Sequence, residues 1–215
     1  MRLVILAAGR GLRLREASGG RAKILLDIAG RSILDRTIAL AAHLGLDPLV
    51  VTRREHAEEI GWRTEVLVED EPVDILESLY SARGVLRETF CWMGGDMVFA
   101  DWKPHRELLS AHLSAGYSAS FFHCRTDRFK AKLHFTPTLT VQVTREGTHE
   151  WSIPTFMVLS TRLLADMDKP PLGGFLQRAI DRGDPIQTRP YDAPLFEIDT
   201  PADLASARRF FESIS

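Results

Sequence analysis

The apolar residues of this chain follow two alternating rhythms. Leu3-Val4-Ile5-Leu6-Ala7-Ala8 is an unbroken apolar run closing on Gly9, the pattern of a strand covered on both faces. From Ser32 to His43 the spacing turns helical, with Ser32 placed to cap and Ile33, Leu34, Ile38, Ala41 and Ala42 on one stripe before Gly45. Pro48 to Thr52 predicts a second buried strand, Glu55 to Ile60 a short polar helix, and Glu65 to Val68 a third strand. Asp74 to Leu86 again has helical spacing, through Ile75, Leu79, Ala82 and Leu86. Phe90 to Met93 predicts a fourth strand that runs directly into Gly94-Gly95-Asp96.

Strand and helix alternate in this way to about residue 116, which predicts a mostly parallel α/β sheet with right-handed crossovers and helices on both faces. The pattern then changes. Ser118 to His123, Lys130 to Phe135, Leu139 to Thr144 and Thr155 to Leu159 are strand-like with little helix between them, as in a mixed or antiparallel extension. Two helices follow, Leu172 to Arg182 and Pro201 to Glu212, separated by strand-like Ile186 to Arg189 and Phe196 to Asp199. There is no repeat and no linker, so residues 1–215 read as one domain with halves at 1–116 and 117–215.

Composition narrows the function classes. With 45% hydrophobic and 26% charged residues, the chain is that of a globular protein rather than a disordered one. Lys and Arg number 27 against 29 acidic residues, so no basic excess points to nucleic acid or anionic lipid. No apolar run reaches the roughly 20 residues of a membrane helix, and Met1 to Leu6 is too short for a signal-peptide core. The two cysteines, Cys91 and Cys124, lie far apart, which predicts free thiols in a reducing, cytoplasmic setting. The histidines lack zinc-ligand spacing, and His105 and His112, two turns apart on a predicted helix, are expected on a solvated face.

The densest chemical signal is Leu6-Ala7-Ala8-Gly9-Arg10-Gly11-Leu12-Arg13-Leu14. Small residues after a strand let backbone amides approach an anion. Arg10, Arg13 and then Lys23, beyond Ser18-Gly19-Gly20, add positive charge suited to a polyphosphate. The third glycine of a dinucleotide fingerprint is replaced by Leu14, and no Gly-Lys-Ser/Thr of a phosphate-binding P-loop follows. Read from the glycines alone, a tight turn with solvated arginines fits the same residues.

Two carboxylates complete the constellation. Asp96 follows the fourth strand, on the edge where open parallel sheets bind ligands. Asp199 precedes a helix opened by Thr200-Pro201. Hard oxygen ligands from distant segments beside a phosphate loop suit Mg²⁺, although Asp-Thr-Pro-x-Asp is also an ordinary helix start. Lys130 and Lys132 alternate on a predicted strand, where they could hold an acceptor phosphate or simply guard a solvated edge.

Taken together, these motifs resemble the nucleotidyltransferase superfamily, which joins a nucleoside monophosphate to a sugar 1-phosphate or alcohol phosphate and releases pyrophosphate. Leu6 to Leu14 resembles its opening motif, and Lys23 to Leu34 its lysine-containing segment, with Ile24 where the family has proline. Gly95-Asp96 resembles the motif whose aspartate binds metal, and Glu197-Ile198-Asp199-Thr200-Pro201-Ala202-Asp203-Leu204 resembles the closing acidic motif. Asp74 to Arg83 is similar to the base-holding pattern of phosphocholine and inositol-phosphate cytidylyltransferases; Ser78 matches and the pattern's asparagines are absent.

The resemblance implies a Rossmann-like (GT-A-like) sheet whose first half binds NTP and whose second half binds the acceptor. It implies Mg²⁺ on Asp96 and Asp199, Arg13 at the leaving pyrophosphate and Lys23 at the reacting phosphates. Leu6, Ala7, Ala8, Gly9, Arg10, Gly11, Ser78 and Gly95 would surround the nucleotide, with CTP the favoured donor and Glu197 supporting Asp199 from beside it. Two other classes share parts of this pattern. One is a GT-A-like glycosyltransferase, although Asp96-Met97-Val98 lacks the second aspartate of its signature. The other is a nucleotide-binding regulator without catalysis.

Overall fold

The structure, a computed structural model, describes residues 1–14, 19–70, 75–125, 133–135, 141–143, 151–166 and 172–214. In chain order the elements begin with β1 (Arg2–Leu6), β2 (Asp27–Ile28), β3 (Arg31–Ser32), α1 (Ile33–Leu44), β4 (Asp47–Thr52), α2 (Arg54–Gly61) and β5 (Glu65–Val68). Next come α3 (Ile75–Ser81), β6 (Thr89–Gly94), β7 (Met97–Phe99), α4 (Lys103–Ala115) and β8 (Ala119–Arg125). The chain continues through β9 (Leu133–Phe135), β10 (Val141–Val143), β11 (Trp151–Ser152), β12 (Phe156–Ser160) and α5 (Leu172–Asp181). It ends with β13 (Ile186–Pro190), β14 (Leu195–Glu197) and α6 (Pro201–Ser213).

One twisted sheet runs β10-β9-β11-β8-β12-β6-β1-β4-β5, with β13 paired to β8. Its β5-β4-β1-β6 part is parallel. β12 then joins β6 antiparallel, and β8 joins β12 in the same sense. The parallel half followed by an antiparallel extension is what the changing strand pattern predicts.

Strand side chains alternate between two cores because successive residues face opposite ways. Leu3, Ile5, Val50, Cys91, Met93, Phe156 and Val158 pack on one face with α1, α4 and α6 residues such as Leu34, Leu108 and Phe211. Val4, Leu49, Val51, Phe90, Trp92 and Met157 pack on the other with Leu79 of α3 and Phe175 and Leu176 of α5. Cys91 and Cys124 are free thiols buried in the first core.

Several local details depart from the sequence pattern. On α1 the buried stripe is Ile33, Leu34, Thr37, Leu40 and Ala41, while Ala42 is exposed. Thr37 is tolerated inside because its hydroxyl donates to the Ile33 carbonyl at 2.9 Å. The helix predicted over Asp74 to Leu86 tightens into a 3₁₀ turn from Ala82 to Val85. Phe196 to Asp199 shortens to β14, which pairs with β7 in a separate two-stranded sheet rather than entering the main one.

His105 and His112 overturn the solvated-face expectation: both are buried on the inner side of α4. His105 sits edge-on among Phe99, Phe122, Phe156 and Tyr191, and burial pushes its pKa down to about 3. Burial likewise pushes His112 down to about 4, and its Nδ1 lies 2.9 Å from the Ser120 hydroxyl. A histidine reads as polar in a hydropathy pattern, yet a neutral imidazole packs like an aromatic ring.

Candidate active site

The carboxyl ends of β1 and β6 lie side by side, and the loops leaving them are stitched together. The Gly95 amide donates to the Leu6 carbonyl at 2.9 Å, and the Ala7 amide donates to the Val51 carbonyl at 2.8 Å. A Cβ built on Gly95 would stand 2.9 Å from both Ala7 Cβ and the Leu6 oxygen, so only glycine lets the two loops close up. One on Gly94 would meet the Asp96 carboxylate at 2.7 Å and the Thr155 hydroxyl at 2.8 Å.

After Ala7 the chain opens into the glycine loop. Ala8 is buried, Gly9 and Arg10 are exposed, and Gly11 adopts a left-handed φ of +56°. The loop then turns through a short 3₁₀ segment, Leu12–Leu14, closed by the Leu14 amide on the Gly11 carbonyl at 2.9 Å. That turn buries Leu14 and projects Arg13 toward Asp199. Lys23 begins a second 3₁₀ turn, anchored by buried Ile24 and Leu25. Its stem passes beneath Gly11, where an added Cβ would lie 3.5 Å from Lys23 Cγ. Ile24 is thus a core contact that anchors the turn carrying Lys23.

Asp199 comes from 103 residues further along the chain than Asp96, and β-pairing brings it home. Glu197 opposes Met97 in the β14–β7 ladder, and the Ile198 amide donates to the Asp96 carbonyl at 2.9 Å. Thr200 caps α6, accepting from the Asp203 amide at 3.3 Å, while the Asp203 carboxylate accepts from the Thr200 amide at 2.7 Å. The same Asp203 oxygen accepts from the Asp199 amide at 3.2 Å. The helix-start reading of this motif is therefore met, and the cap also holds the backbone of Asp199 in place.

The result is a four-residue charge cluster. Lys23 Nζ lies 2.5 Å from Asp199 Oδ1 and 3.4 Å from Asp96 Oδ2, and Arg13 Nη2 lies 2.6 Å from Asp199 Oδ2. Side-chain exposure grades outward: 9% for Asp199, 20% for Lys23, 26% for Asp96 and 54% for Arg13. Asp199 forms the floor and Arg13 the rim. The formal charges cancel, two against two.

The other sequence-derived residues fall in several places. Leu6 closes β1, and Ala7, Ala8, Gly9, Arg10, Gly11 and Gly95 belong to the two stitched loops. Ser78 is buried on α3, a helix packed against β1, and its carbonyl accepts from the Ser81 hydroxyl at 2.8 Å. Glu197 is half-buried on β14. Asp74, Lys130 and Lys132 lie outside the described residues. In the sequence Asp203 stands within the closing acidic motif, and the capping-box spacing Thr200-x-x-Asp203 is the signal for its structural role.

The architecture is shared with nucleotidyltransferase structures. A protein described as a glucose-1-phosphate thymidylyltransferase from Bacillus anthracis, in complex with a sucrose, superposes with a TM-score of 0.86 over 100% of this chain and 96% of that one, at 15% identity. The UTP-bound UGPase from Acinetobacter baumannii superposes at 0.81, covering 100% and 94%, at 13% identity. At such identities the likeness is one of fold. Residues 3–179 match the MobA-like NTP transferase domain, and the chain belongs to that family. A CMP-5'-(3-aminopropyl)phosphonate synthase of Streptomyces rubellomurinus is 34% identical over 110 residues; the match takes in 46% of this chain and only 18% of that protein. Among the described residues no helix is long and apolar enough to cross a membrane.

Proposed function

We propose that this domain transfers a nucleoside monophosphate from an NTP, with CTP the favoured donor, to a phosphorylated or phosphonylated small-molecule acceptor, releasing pyrophosphate. The observation that carries the reading is the charge cluster. Lys23 lies between Asp96 and Asp199, with Arg13 on the outer oxygen, beside a glycine loop at the carboxyl edge of the parallel strands. The name of the Streptomyces relative supports a cytidylyl donor and a phosphonate-type acceptor.

The acceptor oxygen would attack the α-phosphorus in line as pyrophosphate departs. Such a transfer calls for alignment and charge neutralisation rather than a covalent protein intermediate. The loop from Ala8 to Gly11 would face the triphosphate with its amides. Arg13, half-exposed at the rim, would meet the charge growing on pyrophosphate. Lys23 would meet the reacting phosphates. A general base is unnecessary, because a phosphate monoester with a second pKa near 6 is already largely ionised at pH 7.

Asp96 and Asp199 have the chemistry of a Mg²⁺ site. They are hard oxygen donors from two separate segments and already sit around a single cation, the Lys23 ammonium. Bound there, Mg²⁺ supplies positive charge to phosphate oxygens.

The test is pyrophosphate release from each of the four NTPs, in the presence of Mg²⁺, against sugar 1-phosphates, phosphocholine, inositol phosphate and aminoalkylphosphonates. Release with CTP and one acceptor class is expected. Release that needs no phosphorylated acceptor, or none with any pair, would overturn the reading. Thermal stabilisation by each NTP ranks the donors independently of the acceptor.

A further inference from the structure

We propose that the Lys23 ammonium stands in the position of the divalent cation, so that metal binding at Asp96 and Asp199 requires Lys23 to leave. The inference rests on the nucleotidyltransferase reading and deepens it.

Lys23 Nζ contacts one oxygen of each carboxylate, at 2.5 Å on Asp199 and 3.4 Å on Asp96. A cation bridging these same two groups would fall on the same ground, and two cations there would repel each other strongly in a poorly solvated pocket. Asp199 offers little relief, because its other oxygen is occupied by Arg13 at 2.6 Å. Its backbone is pinned as well, by the Asp203 carboxylate and by the Ile198–Asp96 bond, so the residue as a whole cannot shift to make room.

Lys23 is the member able to move. Its ammonium ends a four-carbon stem with free rotors, and that stem runs beside Gly11, where no side chain blocks it. The glycine loop it passes is the one facing the triphosphate in the proposed function. An arriving NTP therefore provides the anion that Lys23 needs once it gives up the two carboxylates. Metal alone gains two ligands by evicting a cation into water; metal with nucleotide gains them while Lys23 keeps an anionic partner. Binding of the two becomes cooperative, and by linkage each raises the affinity for the other. A substrate-free protein would hold its two aspartates together with its own lysine and stay largely metal-free.

The test uses Mn²⁺ as the probe, followed by electron paramagnetic resonance of the free ion, on the full chain without nucleotide. Lys23→Met keeps the apolar stem beside Gly11 and removes the charge; Lys23→Arg keeps the charge. The expected result is Mn²⁺ binding at least ~10-fold tighter in Lys23→Met than in wild type, within the usual range of coupling between sites, with Lys23→Arg remaining as weak as wild type. Adding whichever NTP most stabilises the protein should raise wild-type affinity for Mn²⁺ and leave Lys23→Met much less affected.

Circular dichroism and the melting temperature establish that the variants are folded. A folded Lys23→Met that binds Mn²⁺ no tighter than wild type would overturn the proposal, even if the wild type releases pyrophosphate. Absence of pyrophosphate release with every substrate pair would instead remove the parent reading and leave the Mn²⁺ comparison standing by itself.

Discussion

The backbone amide of Asp199 donates to the carboxylate of Asp203, four residues on, at 3.2 Å. The oxygen that accepts it also takes the amide and the hydroxyl of Thr200, each at 2.7 Å. One carboxylate thus closes the capping box of α6 and fixes the direction in which Asp199 faces the cluster. Asp203→Ala is expected to lower stability by about 1 kcal/mol, the usual cost of a lost cap. Activity should fall further than that stability loss explains, with kcat reduced ~10-fold as Asp199 loosens. Asp203→Glu, which restores the common acid of a capping box, should recover the melting temperature and part of kcat. Steady-state kinetics beside thermal melts separate the two effects.

If the proposed function holds, Asp96→Asn and Asp199→Asn are each expected to cut turnover by at least ~10²-fold with the fold retained, since each would then weaken a metal ligand and remove transition-state stabilisation of several kcal/mol. Pyrophosphate release measured across a Mg²⁺ series checks this. A loss recovered fully at high Mg²⁺ would mean that the carboxylate only binds the metal.

Gly95→Ala is expected to destabilise the protein by about 1–3 kcal/mol, the cost of an added methyl in a filled space. Its Cβ would meet Ala7 Cβ and the Leu6 carbonyl oxygen at 2.9 Å, forcing apart the loops that carry Asp96 and the glycine turn. Urea unfolding measures the loss, and activity should fall with it. Gly9→Ala, at a position where an added Cβ meets nothing within 4 Å, should leave stability nearly unchanged.

Acid should unfold the protein partly through its buried histidines. His105 is held neutral with its pKa lowered to about 3, against a usual value of 6.5. The unfolded chain therefore takes up protons below pH 6.5 that the folded chain refuses. The stability His105 contributes is complete above pH 6.5 and drains away as pH falls toward 3, with His112 adding to the same slope down to about 4. Melting temperatures from pH 7.5 to 4.5 should decline, and His105→Phe, which keeps an aromatic ring among Phe99, Phe122, Phe156 and Tyr191, should decline less steeply.

Most of the succession of strands and helices up to β6 could be read from periodicity, because buried parallel strands are short apolar runs and the helices between them are amphipathic. The glycine loop, Lys23 and the two aspartates were likewise legible as residues, since loops at the ends of such strands carry chemistry in few positions. Pairings were not. The β14–β7 ladder joins segments about a hundred residues apart, and no local pattern specifies which strand a three-residue run will choose. That ladder sets Asp199 against Asp96, and the turn anchored by buried Ile24 delivers Lys23 between them. His105 and His112 depart from the sequence pattern for a related reason: whether an imidazole lies in water or among phenyl rings depends on what crosses its helix, here β7, β8 and β12. Local sequence carries the backbone rhythm because strand and helix are short-range structures. The charge cluster exists only where distant segments meet, since its ion pairs are made by folding and not by neighbours in the chain.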